Sequence, residues 1–270
     1  MSAPVVRALS IDLAPPIERR WAGGDAFVTA FFNALSMSFP VGEQFFIDSV
    51  RAAVKALPAD AQARFAAEVQ GFVGQEATHR RIHGLFNGHL EAQGHVNTWA
   101  PRATRRIARF QGGDPRHALA VTAGYEHFTA IMAAWMLQHP GLLDAAEPRL
   151  RTMWMWHAAE ETEHRSTAFD VYQALGGSDR WRIRWFRVVT FFFVTDVLRQ
   201  TLRNLAHDGA LLRVGTWRSA GRLLFGREGL ARLTFKPWRA YFRQGFHPRE
   251  QDEPRAAQWL RDNAGAFREV

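Results

Sequence analysis

An all-α fold, a four-helix bundle with additional C-terminal helices, is predicted by three observations. Pro and Gly clusters divide long segments of helical periodicity, and no run sustains strand alternation. Two motifs, Glu76-Ala-Thr-His79 and Glu161-Thr-Glu-His164, space a Glu and a His so that both turn to one face of a helix. Each motif follows an isolated Glu at a matched distance: Glu43 lies 33 residues before Glu76, and Glu126 lies 35 before Glu161.

The elements follow in order. Residues 1–24 read as an extended arm. A short helix is expected over 25–36. Ser38-Phe39-Pro40 then starts the first bundle helix, with Ser as N-cap and Pro in the first turn, running to about Leu57 with Glu43 aboard. Pro58-Ala59-Asp60 opens the second, reaching about Ala92 with Glu76, His79 and His83. A loop over 94–101 and a short helix over 104–110 precede Asp114-Pro115, a strong helix start. The third bundle helix holds Glu126 and ends near Gln138. The fourth runs from Pro148 to Gly176-Gly177 with His157, Glu161 and His164. Residues 25–178 thus form the bundle, and 179–270 a helical extension packed on it. In that extension 185–198, rich in Phe and Val, is too short to span a bilayer and is interrupted by Arg187 and Asp196. Shorter amphipathic helices are expected over 211–225, 230–242 and 249–267.

Composition narrows the chemistry. The chain has 270 residues, is 47% hydrophobic and contains no Cys. Disulfides, thiolate metal sites, iron–sulfur clusters and thiol nucleophiles are therefore excluded. Met1 to Arg20 lacks an apolar signal core, so the cytoplasm is the expected compartment. Residues 180–250 carry 15 Lys and Arg against 4 Asp and Glu, interleaved with Trp181, Trp185, Trp217, Trp238 and Tyr241. Arg stems packed over aromatic faces explain such a stretch. So does peripheral contact with an anionic membrane at its inner face. No nucleic-acid module is recognisable, so nucleic acid is not an expected partner.

The six-residue pattern carries the chemistry. Four carboxylates and two imidazoles suit first-row divalent ions, and two such ions balance four carboxylate charges. Without them, carboxylates clustered in an apolar core would repel one another and lose hydration. Four inward carboxylates with a His from two of the helices make the di-metal site of ferritin-like bundles. The 50 residues between Glu76 and Glu126 suit two helical hairpins joined by a longer crossover. By the logic of such sites Glu76 and Glu161 bridge the ions and are the catalytic carboxylates. Glu43 and Glu126 are terminal, and His79 and His164 hold one ion each. Gly42 and Gly124 lie within a turn of ligands, where small size serves either an open space or helix packing.

The set Glu43, Glu76-x-x-His79, Glu126 and Glu161-x-x-His164 resembles the ferritin-like di-iron carboxylate superfamily. Its context, GQEATHRRIH and WHAAEETEHRSTAFD, is similar to the bacterial family of predicted metal-dependent hydrolases, over about residues 25–250. The order His157-x3-Glu161-x2-His164 resembles the ligand helix of di-iron arylamine N-oxygenases, which implies His157 as a further metal ligand; a histidine that hydrogen-bonds a ligand, or a core histidine, is the alternative. His83 is expected to hydrogen-bond a ligand, and His127 to be structural. Glu160, Glu163 and Asp170 stand outside the ligand register, and Asp170 is placed to anchor an Arg or a His.

These likenesses imply two Fe ions, with Mn or a mixed Mn/Fe pair admitted. They imply an O2-dependent oxidase or oxygenase acting on a hydrophobic small molecule or lipid-like substrate with an unidentified electron donor. A metal-dependent hydrolase and a non-catalytic metal-binding bundle are the alternatives. A homodimer is admitted.

Overall fold

The computed structural model describes residues 3–270. The chain opens with β1 (Arg7–Leu9), then α1 (Ala26–Lys55), α2 (Ala59–Ala92), α3 (Trp99–Ile107), α4 (Pro115–Gln138), α5 (Pro148–His164) and α6 (Thr167–Ala174). After these come α7 (Asp179–His207), α8 (Val214–Phe225), α9 (Leu230–Ala240), α10 (Pro254–Asp262) and β2 (Phe267–Glu269). The fold is all-α. The small exception is β1, which pairs antiparallel with β2, Ala8 opposite Arg268, and ties the arm to the C-terminus.

Contacts of α1 with α2, α2 with α5, α5 with α4 and α4 with α1 close a ring of four helices. Local chemistry sets its ends. Asp25 Oδ1 accepts from the amides of Phe27 and Val28 at 2.9 and 3.1 Å, and Asp114 Oδ1 accepts from Arg116 N at 2.9 Å. Helix α7 lies along α1 and α4, with α9 beside α4.

Two apolar cores fill the bundle, one around Phe32, Phe86, Trp154 and Trp156, the other around Phe72, Phe169, Phe186 and Tyr241. In α1, α2 and α5–α6 the chain passes from one core to the other through the segment that bears the Glu and His side chains. A polar layer therefore sits between two greasy ones.

Several boundaries differ from the sequence expectation. Helix α1 is continuous through Pro40 rather than restarting at Ser38. Pro40 has no N–H for the carbonyl of Ser36, four residues back. Asn87 Nδ2 donates to that carbonyl instead, at 2.9 Å, so the helix survives its proline. The fourth bundle helix breaks between α5 and α6 at Arg165-Ser166, directly after His164. There Arg165 Nη1 caps the Thr162 carbonyl at 2.9 Å. Helix α7 is longer than the apolar run 185–198, because Ser178 caps it early and its polar residues continue the helix to His207. Conversely, the last helix is shorter than 249–267, since the chain leaves it to form β2.

Candidate metal centre

Glu43 on α1, Glu76 and His79 on α2, Glu126 on α4, and Glu161 and His164 on α5 are all brought together, each at most 4% exposed. Glu76, His79, Glu161 and His164 each offer an atom within 4.8 Å of the other three. Glu43 approaches His157 in the same way. His164 Nε2 is 3.5 Å from Glu76 Oε1 and 3.7 Å from Glu161 Oε1, and His79 Nδ1 is 3.4 Å from Glu161 Oε1.

The hydrogen-bond inventory tests whether the residues fit a metal. Both oxygens of Glu43, both of Glu76, Glu126 Oε1, Glu161 Oε2, His79 Nδ1 and His164 Nε2 are buried without a partner among the described residues. Buried polar atoms are almost always hydrogen-bonded, and each orphan costs about 1–3 kcal/mol. Several orphans converging on one point are the donor set of bound cations. Carboxylate and imidazole together suit first-row divalent metals.

Electrostatics agree. Burial pushes Glu43 and Glu76 well above the usual carboxylate range, and raises Glu126. For Glu76 the charges of Glu126, Glu161 and Glu43 add to burial. Glu161 goes the other way. Burial would raise it, but His164, His157 and His79 hold it well below its ordinary value.

Partners outside the ligand set orient the imidazoles. His79 Nε2 donates to Glu160 Oε2 at 2.9 Å, which turns Nδ1 toward the cluster. Burial would lower the His79 pKa, but Glu160 and Glu161 raise it to about 10. Arg7, from the arm, bonds Glu160 Oε1 at 3.2 Å and Glu163 at 2.8 Å, and Gln75 Nε2 also reaches Glu163, at 2.7 Å. Sequence reasoning left Glu160 and Glu163 outside the site and gave Arg7 no role. Carboxylate support of a ligand His is a recurrent metal-site device, but only the fold shows which carboxylate supplies it.

His157 Nε2 lies 2.8 Å from Glu161 Oε1, and its Nδ1 lies 2.7 Å from His83 Nε2. His83 Nδ1 contacts Ser36 Oγ at 2.8 Å, and His83, Glu43 and His157 form a second buried group that could hold an ion. His127 faces away, its Nε2 donating to the Pro237 carbonyl at 3.1 Å among Phe186, Tyr241 and Phe246. Asp170 also lies off the site, accepting from His247 at 2.7 Å and from Arg249 at 2.5 Å.

A small cavity borders the cluster, and a larger one lies next to that. The larger, of about 340 Å3, lies between α1, α3, α4 and α7, walled by residues that include Phe39, Phe46, Tyr125, Trp185, Phe192 and Phe193. The small one, of about 40 Å3, borders His157 and Glu161 and shares Phe39, Thr129 and Phe193 with the larger. Gly42 lines the larger cavity, and a Cβ there would meet nothing nearer than Phe46 at 3.9 Å. At Gly124 a Cβ would press on Phe186 and Val189 at 3.3 and 3.4 Å, so that glycine serves helix packing.

No curated protein and no solved structure matches the chain. A family model described as predicted metal-dependent hydrolase matches residues 5–252, and this protein, with its buried Glu and His cluster, belongs to that family.

Proposed function

We propose that this protein is a non-haem di-iron enzyme that oxidises a hydrophobic small molecule or lipid-like substrate. Glu43, Glu76, His79, Glu126, His157, Glu161 and His164 would hold the two ions. One carboxylate from each of four helices, two of them in Glu-x-x-His motifs, is the ferritin-like di-metal pattern and supports this reading. Iron bound there supplies reduction of O2, with electrons from an external donor; manganese accepts the same ligands.

The observation that carries the reaction class is the cavity that approaches His157 and Glu161. Its walls are aromatic and aliphatic. At the metal end the polar neighbours besides the ligands are two: the Thr129 hydroxyl, which already donates to the Glu126 carbonyl at 3.0 Å, and Trp154 Nε1, a buried donor without a partner among the described residues. Hydrolysis needs donors for a developing oxyanion and a polar bond near the metal. A hydrocarbon segment fits this end better. Farther out, Trp185 Nε1 is a buried donor without a partner among the described residues. Burial raises the Tyr125 hydroxyl to about 12, which keeps it a donor. The substrate is therefore apolar with a hydrogen-bond acceptor away from its reacting end.

The family description favours a second reading, a hydrolase in which the metal pair acts as Lewis acid. Elemental analysis of the protein beside Glu76→Ala and Glu161→Ala comes first. About two Fe or Mn per chain, lost in both variants while helicity persists, is expected. No metal after anaerobic loading with ferrous iron refutes the proposal. O2 consumption by the iron-loaded protein then supports oxidation. Turnover of ester or amide probes with Zn or Mn and without O2 supports hydrolysis instead, and uptake of many irons per chain supports storage.

Substrate delivery from an anionic membrane surface suits the outer face of α7. Val188, Phe191, Val194 and Leu198 stand 36%, 62%, 51% and 55% exposed along it, amid Arg180, Arg184, Arg187 and Arg199. No helix among the described residues is long and apolar enough to cross a membrane. Cosedimentation with phosphatidylserine vesicles at physiological salt, lost in a Phe191→Ser, Leu198→Ser double variant, is the expected result. No cosedimentation of the parent protein removes the membrane from the account.

A further inference from the structure

We infer that the far ends of α2 and α7 form a further metal site, in which His95, His207 and Asp208 hold one divalent ion of the zinc type. The site is separate from the Glu and His cluster and does not rest on the function proposed for that cluster. Helix α2 runs on from His79 to Ala92 before reaching it, about 20 Å at 1.5 Å per residue.

Local structure fixes the three side chains. Helix α2 ends in a Schellman cap. Gly94, at φ 86°, donates its amide to the Glu91 carbonyl at 2.9 Å, and His95 N donates to the Leu90 carbonyl at 2.9 Å. Helix α7 ends in the same way. Gly209, at φ 59°, donates to the Ala206 carbonyl at 3.2 Å, and Ala210 N to the Leu205 carbonyl at 2.8 Å. His95 thus directly follows one cap glycine, and His207-Asp208 directly precedes the other. Glycine is needed at 94 for a second reason besides its φ, because a Cβ there would stand 3.1 Å from His207 Cε1. Its absence lets the His207 ring lie against the turn that presents His95, with ring centroids 4.5 Å apart.

The donor atoms suit one ion. Each of the three residues offers an atom within 4.8 Å of the other two. Ligands of a tetrahedral zinc stand about 3.4 Å from one another, so small side-chain rotations close the set. His95 is 4% exposed, yet neither of its ring nitrogens has a hydrogen-bond partner among the described residues. Buried polar atoms are rarely left in that condition. Its Nε2 lies 3.5 Å from Asp208 Oδ1. His207 Nε2 donates to the Gln93 carbonyl at 3.1 Å, which leaves Nδ1 as the nitrogen for an ion. A backbone carbonyl behind a ligand imidazole is a common support at metal sites.

Charge points the same way. Two helix C-termini bring partial negative charge to one place, and Asp208 adds a full one. An acidic residue at a helix C-terminus opposes the macrodipole, so Asp208 destabilises the end of α7 unless a cation accompanies it. Arg19 of the arm supplies part of that charge. Its Nη1 donates to Asp208 Oδ1 at 3.0 Å and its Nη2 to the Gln93 carbonyl at 3.1 Å. The Arg19 side chain is 49% exposed, whereas that of Asp208 is 5% exposed, so the arginine is the partner that can swing away. Arg19 neutralises Asp208 but leaves His95 unpaired. A divalent ion answers the carboxylate and an imidazole nitrogen at once. Two imidazoles and one carboxylate, with a position left for water, are a zinc donor set.

The test titrates untagged, chelator-treated protein with Zn(II) against a chromophoric chelator. The parent should bind one more Zn(II) per chain than His207→Ala or Asp208→Ala, with helicity matched by circular dichroism. His207 is exposed, so its replacement leaves the fold in place. The same difference of one Zn(II) should separate Glu76→Ala from a Glu76→Ala, His207→Ala double variant, which distinguishes this site from the cluster. Arg19→Ala removes a competing cation and should tighten the step by up to about fivefold, the worth of an exposed ion pair. Equal Zn(II) counts in the parent and both single variants overturn the assignment. So does weaker binding in Arg19→Ala, which would make the arginine a support of the ion rather than its competitor. Neither result touches the cluster, whose own failure to bind metal would leave the difference of one Zn(II) intact.

Discussion

Replacing Glu76 with Met should stabilise the metal-free protein while abolishing metal binding. Glu76 is fully buried, and neither carboxylate oxygen has a hydrogen-bond partner among the described residues. Met fills a similar volume, so no large cavity opens. Removing one such buried, unsatisfied polar group relieves about 1–3 kcal/mol. In a domain of this size that corresponds to roughly 2–8 °C in melting temperature. The gain must depend on pH, with a definite sign. Burial and the charges of Glu126, Glu161 and Glu43 hold the Glu76 carboxyl well above its ordinary 4.5. Above that value the unfolded chain has released the proton while the folded chain keeps it. The parent therefore loses stability as pH rises toward the folded pKa, by up to about 1.4 kcal/mol per pH unit for this group. The variant lacks that loss, so its advantage is larger at pH 8 than at pH 5. Metal reverses the order, because only the parent gains binding free energy, about 2.7 kcal/mol at a hundredfold excess over Kd. Scanning calorimetry of chelator-treated and Mn(II)-loaded samples at both pH values measures all of this. A metal-free variant that melts below the parent, or a gain indifferent to pH, would refute the picture of a carboxylate cluster built at the expense of stability.

Two further outcomes bear on the surroundings of the site. Gly42→Leu puts a side chain into the larger cavity, where little stands in its way. It should leave metal content intact while reducing binding of an apolar fluorescent probe at least tenfold; unchanged probe binding would remove the cavity from the substrate route. Glu160→Gln removes the charge that, with Glu161, holds His79 at about 10. Metal must displace the His79 proton, so the slope of log affinity against pH between 7 and 9 should fall by about one. An unaltered slope would deny Glu160 its influence on His79. In metal-free protein the same raised pKa adds stability below pH 6.5 that is lost as pH rises toward 10. The Gln variant should accordingly show a flatter stability curve across that window.

The convergence of the six Glu and His side chains is legible in the sequence because the motif has a spacing of its own. A Glu and a His three apart must share a helix face, and a matched Glu upstream must come from the partner helix. Hydrogen bonds between helices impose none. Ser36 and Asn87 are 51 residues apart and meet only because α1 and α2 form a hairpin. Pro40 was misread for a related reason. A proline in the first turn and a proline inside a helix look alike in sequence, and here the deciding fact is that Asn87 supplies the donor the proline lacks. Glu160 was set aside because its neighbour Glu161 held the register, yet it reaches His79 across the gap between α5 and α2. Arg7 sits in an arm without periodicity, where nothing local marks it. Long-range polar contacts leave no periodic trace, which is why both missed supports of the histidines fall in this class.

The place where the small cavity reaches the cluster constrains how a substrate approaches. Of the seven proposed ligands, the small cavity borders only His157 and Glu161. Glu76, Glu126 and His164 lie beyond that wall, with His164 packed edge-on against Phe72 at 5.1 Å between ring centroids. A molecule passing Phe39 and Phe193 therefore meets the His157 side first. In the proposed ligand set Glu43 and Glu126 give each side one terminal carboxylate, so the sides would differ in their number of imidazoles and not in charge. His157 would set this difference, since without it the two sides have one imidazole each. A His157→Ala protein should accordingly retain two Co(II) in the cluster but bind them with nearly equal affinity, where the parent shows two distinct steps. Equal steps in the parent would mean that the third histidine only lines the wall.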